Sequence, residues 1–107
     1  MRFFEKYTPG KRTLQPALFW DYNIPPEKLN QYPRLVATRV IKLGKLEDFY
    51  AAFDLLGGIK PFVKIAKEQV IGLTPKELNF ICFAFNIKKE DTLCYKREQL
   101  RKERLNF

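Results

Sequence analysis

The sequence predicts an all-α protein: a single small bundle of four to five short helices with an extended N-terminal arm. Three observations predict it. Apolar residues recur three and four apart through most of 33–87. Helix start and stop residues (Pro33, Gly44, Gly57-Gly58, Thr74-Pro75) punctuate that stretch. No segment alternates with period two for long enough to make a strand, and no internal repeat is visible. The chain divides into an arm over 1–17, a helical domain over 18–94 and a basic C-terminal helix over 95–107.

Taken in order, the arm holds Phe3, Phe4 and Tyr7, then Thr8-Pro9-Gly10 and Pro16, with no sustained pattern, and is ordered only if its aromatics dock. Leu18-Phe19-Trp20-Asp21-Tyr22 reads as an extended anchor feeding the turn at Pro25-Pro26, after which Pro-Glu-Lys-Leu-Asn-Gln makes a short helical turn. Pro33 suits the first position of a helix over 33–43, with Leu35, Val36, Val40 and Ile41 on its apolar face and Gly44 at its end. In 46–56, Glu47 and Asp48 complement the positive helix start and Gly57-Gly58 stops the helix. Ile59, Phe62, Val63 and Ala66 pattern a helix to about Gln69, with Pro61 tolerable in its first turn.

The best-marked helix spans 74–87. Thr74 accepts from the amide three residues on, Glu77 reaches back to the amide of Thr74, and Pro75 gives up only an amide without an intrahelical partner. Leu78, Ile81, Cys82 and Phe85 form one stripe, and Phe80, Phe83, Ala84 and Ile87 a second. A helix apolar all round is buried either wholly by its own domain or by its domain on one side and a partner on the other. Beyond a turn over 88–95, residues 96–105 return to helical composition, with the thin stripe Leu93, Leu100 and Phe107.

Composition narrows the function classes. A chain of 107 residues fits one domain, and ten Phe, five Tyr and one Trp give it a core. The net charge of +8 favours an acidic partner, but no segment is a polybasic tract. His is absent, which removes His-based acid–base catalysis, His-activated nucleophiles and His-containing zinc sites. Two cysteines do not make a four-cysteine site, and Gly57-Gly58 lacks the remainder of a phosphate loop. Glu47-Asp48 and Glu90-Asp91 are sequence neighbours that diverge on a helix, and an apolar helix hides Cys82. The expectation is a protein that is not an enzyme, with no catalytic residues, cofactor or metal. Charges in the first eleven residues replace the apolar run of a signal peptide, and no run approaches the roughly 18 to 20 apolar residues that span a bilayer, which predicts a cytoplasmic protein with reduced thiols and no membrane partner.

Two binding surfaces compete. For a protein partner or self-association, the candidates are Phe19, Trp20, Tyr22, Phe80, Phe83 and Leu100, because buried aromatics dominate interface energy; Phe19 and Trp20 either form a recognition edge or pack into the core. For nucleic acid, DNA or RNA, the candidates are Lys60, Lys64 and Lys67 with Arg97, Arg101 and Arg104. Three successive short helices have the outline of a helix-turn-helix, but 75–86 lacks the polar face that reads a major groove.

Leu18-Phe19-Trp20-Asp21, Arg39-Val40-Ile41 with Gly44, Leu46-Glu47-Asp48-Phe49, the run Leu73-Thr74-Pro75-Lys76-Glu77-Leu78-Asn79-Phe80 and Cys94-Tyr95 together resemble a family of short uncharacterised bacterial proteins. The resemblance covers about residues 18 to 97 and departs from the pattern at Gly57-Gly58 and in the basic tail. Members are often encoded beside a nucleotidyltransferase toxin of the abortive-infection type. The resemblance therefore implies an antitoxin-like or accessory role with that toxin as partner, and it assigns no site residues.

Overall fold

A computed structural model describes Phe4 and residues 7–105 of the chain. Phe3 and Phe107 lie outside the described residues. Among those described there are five α-helices and no strand: α1 (Pro33–Leu43), α2 (Leu46–Leu56), α3 (Ile59–Glu68), α4 (Pro75–Phe85) and α5 (Leu93–Leu105). Short 3₁₀ turns occupy Pro16–Phe19, Pro26–Gln31 and Lys89–Asp91.

The helix signals act where the sequence places them. Pro33 and Pro75 open α1 and α4. At Thr74 both halves of the capping box form: Glu77 N–H donates to Thr74 Oγ1 at 3.2 Å and Thr74 N–H to Glu77 Oε1 at 2.9 Å. Helix α2 has half of such a box, with Lys45 N–H donating to the Asp48 carboxylate at 2.9 Å, since lysine has no acceptor to return. Gly57 and Gly58 take φ of 97° and 126°, a region closed to most side chains, and so turn the chain sharply from α2 into α3. Gly44 serves differently. A Cβ there would lie 2.7 Å from Val40 O and 3.1 Å from Asp48 Cβ, so the tight α1–α2 corner requires a glycine.

Helices α1, α2 and α3 each pack against the other two, α4 against α1, and α5 against α3. Phe49 and Phe53 of α2, Phe62 of α3 and Phe85 of α4 meet in one aromatic cluster, with Phe53–Phe62 centroids 5.2 Å apart and Phe62–Phe85 5.6 Å apart. The arm completes it. Phe4, wholly buried, stacks on Phe85 at 5.0 Å and meets Phe53 edge-on at 5.1 Å and Phe49 at 5.2 Å. Of the arm's aromatics, Phe4 and Tyr7 dock against the bundle.

What holds the arm is Asp54 of α2. One carboxylate oxygen accepts from the Tyr7 hydroxyl at 2.7 Å and the Gly10 amide at 3.0 Å, and the other from the Arg12 amide at 3.2 Å and its guanidinium at 2.9 Å. Arg12 also lies over the rings of Tyr7 and Tyr50. The Asp54 side chain is only 5% exposed. Burial alone would raise its pKa, but the donated bonds from Tyr7, Gly10 and Arg12 outweigh that and hold it below the ordinary carboxylate value. Burial, then the bond to Asp54, pushes Tyr7 up to about 12.

Two expectations are corrected. Residues 18–22 are not an extended anchor: Pro16 starts a 3₁₀ turn in which Leu18 N–H bonds Gln15 O, and Tyr22 N–H then bonds Phe19 O. The last helix starts at Leu93, inside the expected turn over 88–95. Buried Thr92 sets that start, its hydroxyl donating to Lys89 O at 2.7 Å and accepting from Tyr95 N–H at 3.2 Å.

Replacing Phe4 by Ala should cost about 3–5 kcal/mol in urea-induced unfolding, by emptying a site that three helical phenylalanines enclose. The depressed Asp54 pKa contributes stability that is fully present above its unfolded value of about 4 and is lost as pH falls through the lower folded value. The raised Tyr7 pKa contributes stability present below about pH 10 and lost as pH rises towards about 12. Thermal unfolding followed across pH should show both losses, and Asp54→Asn should flatten the acid limb; an unchanged acid limb in that variant would refute the assignment.

Candidate partner-binding surfaces

No group of three or more Cys, Asp or Glu side chains gathers to hold a metal ion among the described residues, and no helix among them is long and apolar enough to cross a membrane. Of the two thiols, Cys94 is buried with Sγ 3.9 Å from Leu73 O, and Cys82 is half-buried, its pKa pushed up chiefly by burial. Glu77 is occupied structurally. Burial works against its ionisation, but the Thr74 amide and Lys42 Nζ, 2.9 Å away, lower its pKa overall.

The surface candidates separate. Phe19, read as a possible interface anchor, is corrected to a core residue at 6% exposure, because the 3₁₀ turn puts it and Leu18 inside. The same turn sends its neighbour Trp20 outward at 78% exposure. On α4, Leu78, Ile81, Ala84 and Phe85 are buried and Phe80 is half-buried beside Phe49, with ring centroids 5.9 Å apart. Both stripes of α4 are therefore largely covered within the chain. Phe83 is the exception, also 78% exposed, on the face it shares with Lys76 and Asn79.

Two open grooves meet at Ile71. The larger, about 730 Å³, runs along α1 and is lined by Tyr22, Tyr32, Arg34, Arg39, Lys42 and Leu43 among others, with Ile71 at one side. In it Arg39 bonds Asp21 at 2.6 Å and lies over the Tyr22 ring, while Lys42 holds Glu77. The smaller, about 500 Å³, lies between Ile71-Gly72 and the α5 face formed by Arg97, Glu98, Leu100, Arg101 and Arg104. Tyr22, Leu100, Arg97, Arg101 and Arg104 from the two candidate sets are thus brought to adjoining grooves. Lys60, Lys64 and Lys67 line neither, with Lys60 and Lys64 exposed and Lys67 half-buried on α3. Helical periodicity puts Arg34, Arg39 and Lys42 on the wet face of 33–43 and Leu43 with its apolar face, and gives Tyr32 no role; Leu43 and Tyr32 are instead both exposed beside those cations. The available signal is Arg34, Thr38 and Lys42 at i, i+4 and i+8, beginning two residues after Tyr32.

Comparison of the chain with protein-family models, curated proteins and solved structures gives no match in any of the three.

At about pH 8, a thiol-reactive disulfide reagent should modify Cys82 at least about tenfold more slowly than a small free thiol, and Cys94 only on unfolding. Rapid modification of Cys94 in the folded protein would contradict its burial in the first turn of α5.

Proposed function

We propose that this chain is a non-enzymatic module that binds a protein partner through Trp20 and Phe83. The observation that carries the reading is their exposure. The fold encloses Phe4, Phe19, Phe49, Phe53, Phe62 and Phe85, yet leaves these two large apolar rings each 78% in water. Exposed aromatics lose most free energy in water and gain most when a partner covers them. Both are carried by ordered turns and helices, so little chain entropy opposes docking. The absence of His from the chain supports a binding role over an enzymatic one.

The resemblance to the short bacterial proteins supplies a first partner to try, the nucleotidyltransferase toxin encoded beside them, and the role is then antitoxin-like or accessory. Self-association through the same rings is the other form of the reading.

The tagged chain should retain a nucleotidyltransferase of the class the resemblance implies, or form dimers at rising concentration in sedimentation experiments. Trp20→Ala and Phe83→Ala should each weaken the association by roughly thirtyfold, the scale of a hot-spot residue, while leaving the circular dichroism unchanged. A chain that stays monomeric and ignores that protein, or variants that bind as wild type, would overturn the reading.

A further inference from the structure

The geometry points to the two grooves that meet at Ile71 acting as one track for a single strand of nucleic acid. Ile71 lines both, so the α1 groove and the α5 groove adjoin there. Their linings hold six cations, Arg34, Arg39, Lys42, Arg97, Arg101 and Arg104, against one carboxylate, Glu98. Asp21 and Glu77 already engage Arg39 and Lys42, whereas Arg34 and the three α5 arginines make no ion pair among the described residues. Arg97, Arg101 and Arg104 stand at i, i+4 and i+7, which puts three exposed guanidinium groups on one face of α5 with Leu100 between them. Such a row suits successive phosphates of one backbone.

The far end of the track decides the kind of polyanion. Tyr22 and Tyr32, 47% and 44% exposed, line the α1 groove, and Arg39 lies over the Tyr22 ring at 5.2 Å. Exposed tyrosine rings beside arginines form a stacking platform for unpaired bases, and a duplex keeps its bases from such a platform. An acidic polypeptide would meet the charges and leave the rings unused. The track uses residues other than Trp20 and Phe83, so it stands or falls independently of the protein-binding reading.

The test is fluorescence anisotropy of the full chain with a labelled single strand of about 12 thymidines. Binding should weaken with salt at a log–log slope of about −3, from four unpaired arginines at about −0.7 each. Arg97→Gln/Arg101→Gln/Arg104→Gln should weaken it more than about tenfold and make the slope shallower by about 2. Tyr32→Ala should weaken it about tenfold with the slope unchanged. Lys60→Gln/Lys64→Gln/Lys67→Gln removes the same charge outside the track and should stay within about twofold of wild type. Circular dichroism checks that each variant keeps its helices. No binding at low salt, equal losses in the two triple variants, or duplex DNA or polyglutamate binding as tightly as the single strand would overturn the proposal.

Discussion

The carboxylate of Asp54 is the constraint on which the rest of the structure depends. It sits in α2 but takes its four donated hydrogen bonds from Tyr7, Gly10 and Arg12, more than forty residues earlier in the chain. A carboxylate with a side chain 5% exposed is costly to bury without donors, and those four offset the cost. Their effect reaches past the charge. By fixing residues 7–12 on the surface of α2, Asp54 holds the chain where Phe4 enters between Phe53 of α2 and Phe85 of α4. The aromatic cluster that joins α2, α3 and α4 thus includes a ring from outside all three, kept in place by one polar group at the rim.

This arrangement explains what was legible in the sequence. Helix starts and stops depend on residues close in the chain, so Thr74 with Glu77, Pro33 and Gly57-Gly58 could be read before any contact was known. Asp54 could not. In sequence it is one acid near the end of an amphipathic helix, and only the fold brings Tyr7, Gly10 and Arg12 to it. Phe19 and Trp20 show the same limit at shorter range. The two are neighbours of similar chemistry, and which of them enters the core follows from a 3₁₀ turn that Pro16 begins, a choice of backbone geometry that composition does not report. Thr92 is the intermediate case: a hydroxyl three residues before Tyr95 is a local capping signal, but the turn-like composition of 88–95 masks it, and the burial of Cys94 in the first turn of α5 depends on the fold.

The candidate surfaces divide along the same line. Arg97, Arg101 and Arg104 share a helix face and so could be recognised together from spacing alone. Their juxtaposition with the α1 groove requires the 70–73 segment to place Ile71 between α1 and α5, a relation that no local pattern encodes. Lys60, Lys64 and Lys67 have equally good helical spacing, but α3 carries them outside both grooves. Spacing selects residues that can act together, and packing decides which sets face the same ligand.

A docked arm also bears on how any partner must bind. An N-terminal segment rich in aromatics invites the idea of a flexible tether that folds on its target, with the ordering cost such binding carries. Here Phe4 and Tyr7 are already committed, one to the core and one to Asp54, so releasing them would expose the ring cluster and strip the carboxylate of a donor. The surfaces left for recognition are Trp20 beside a closed turn, Phe83 on α4, and the groove faces of α1 and α5. All belong to elements whose backbone hydrogen bonds are made before a partner arrives. Binding through them spends little entropy on ordering the chain, and specificity then rests on the fixed spacing of rings and cations rather than on a segment that moulds itself to its target.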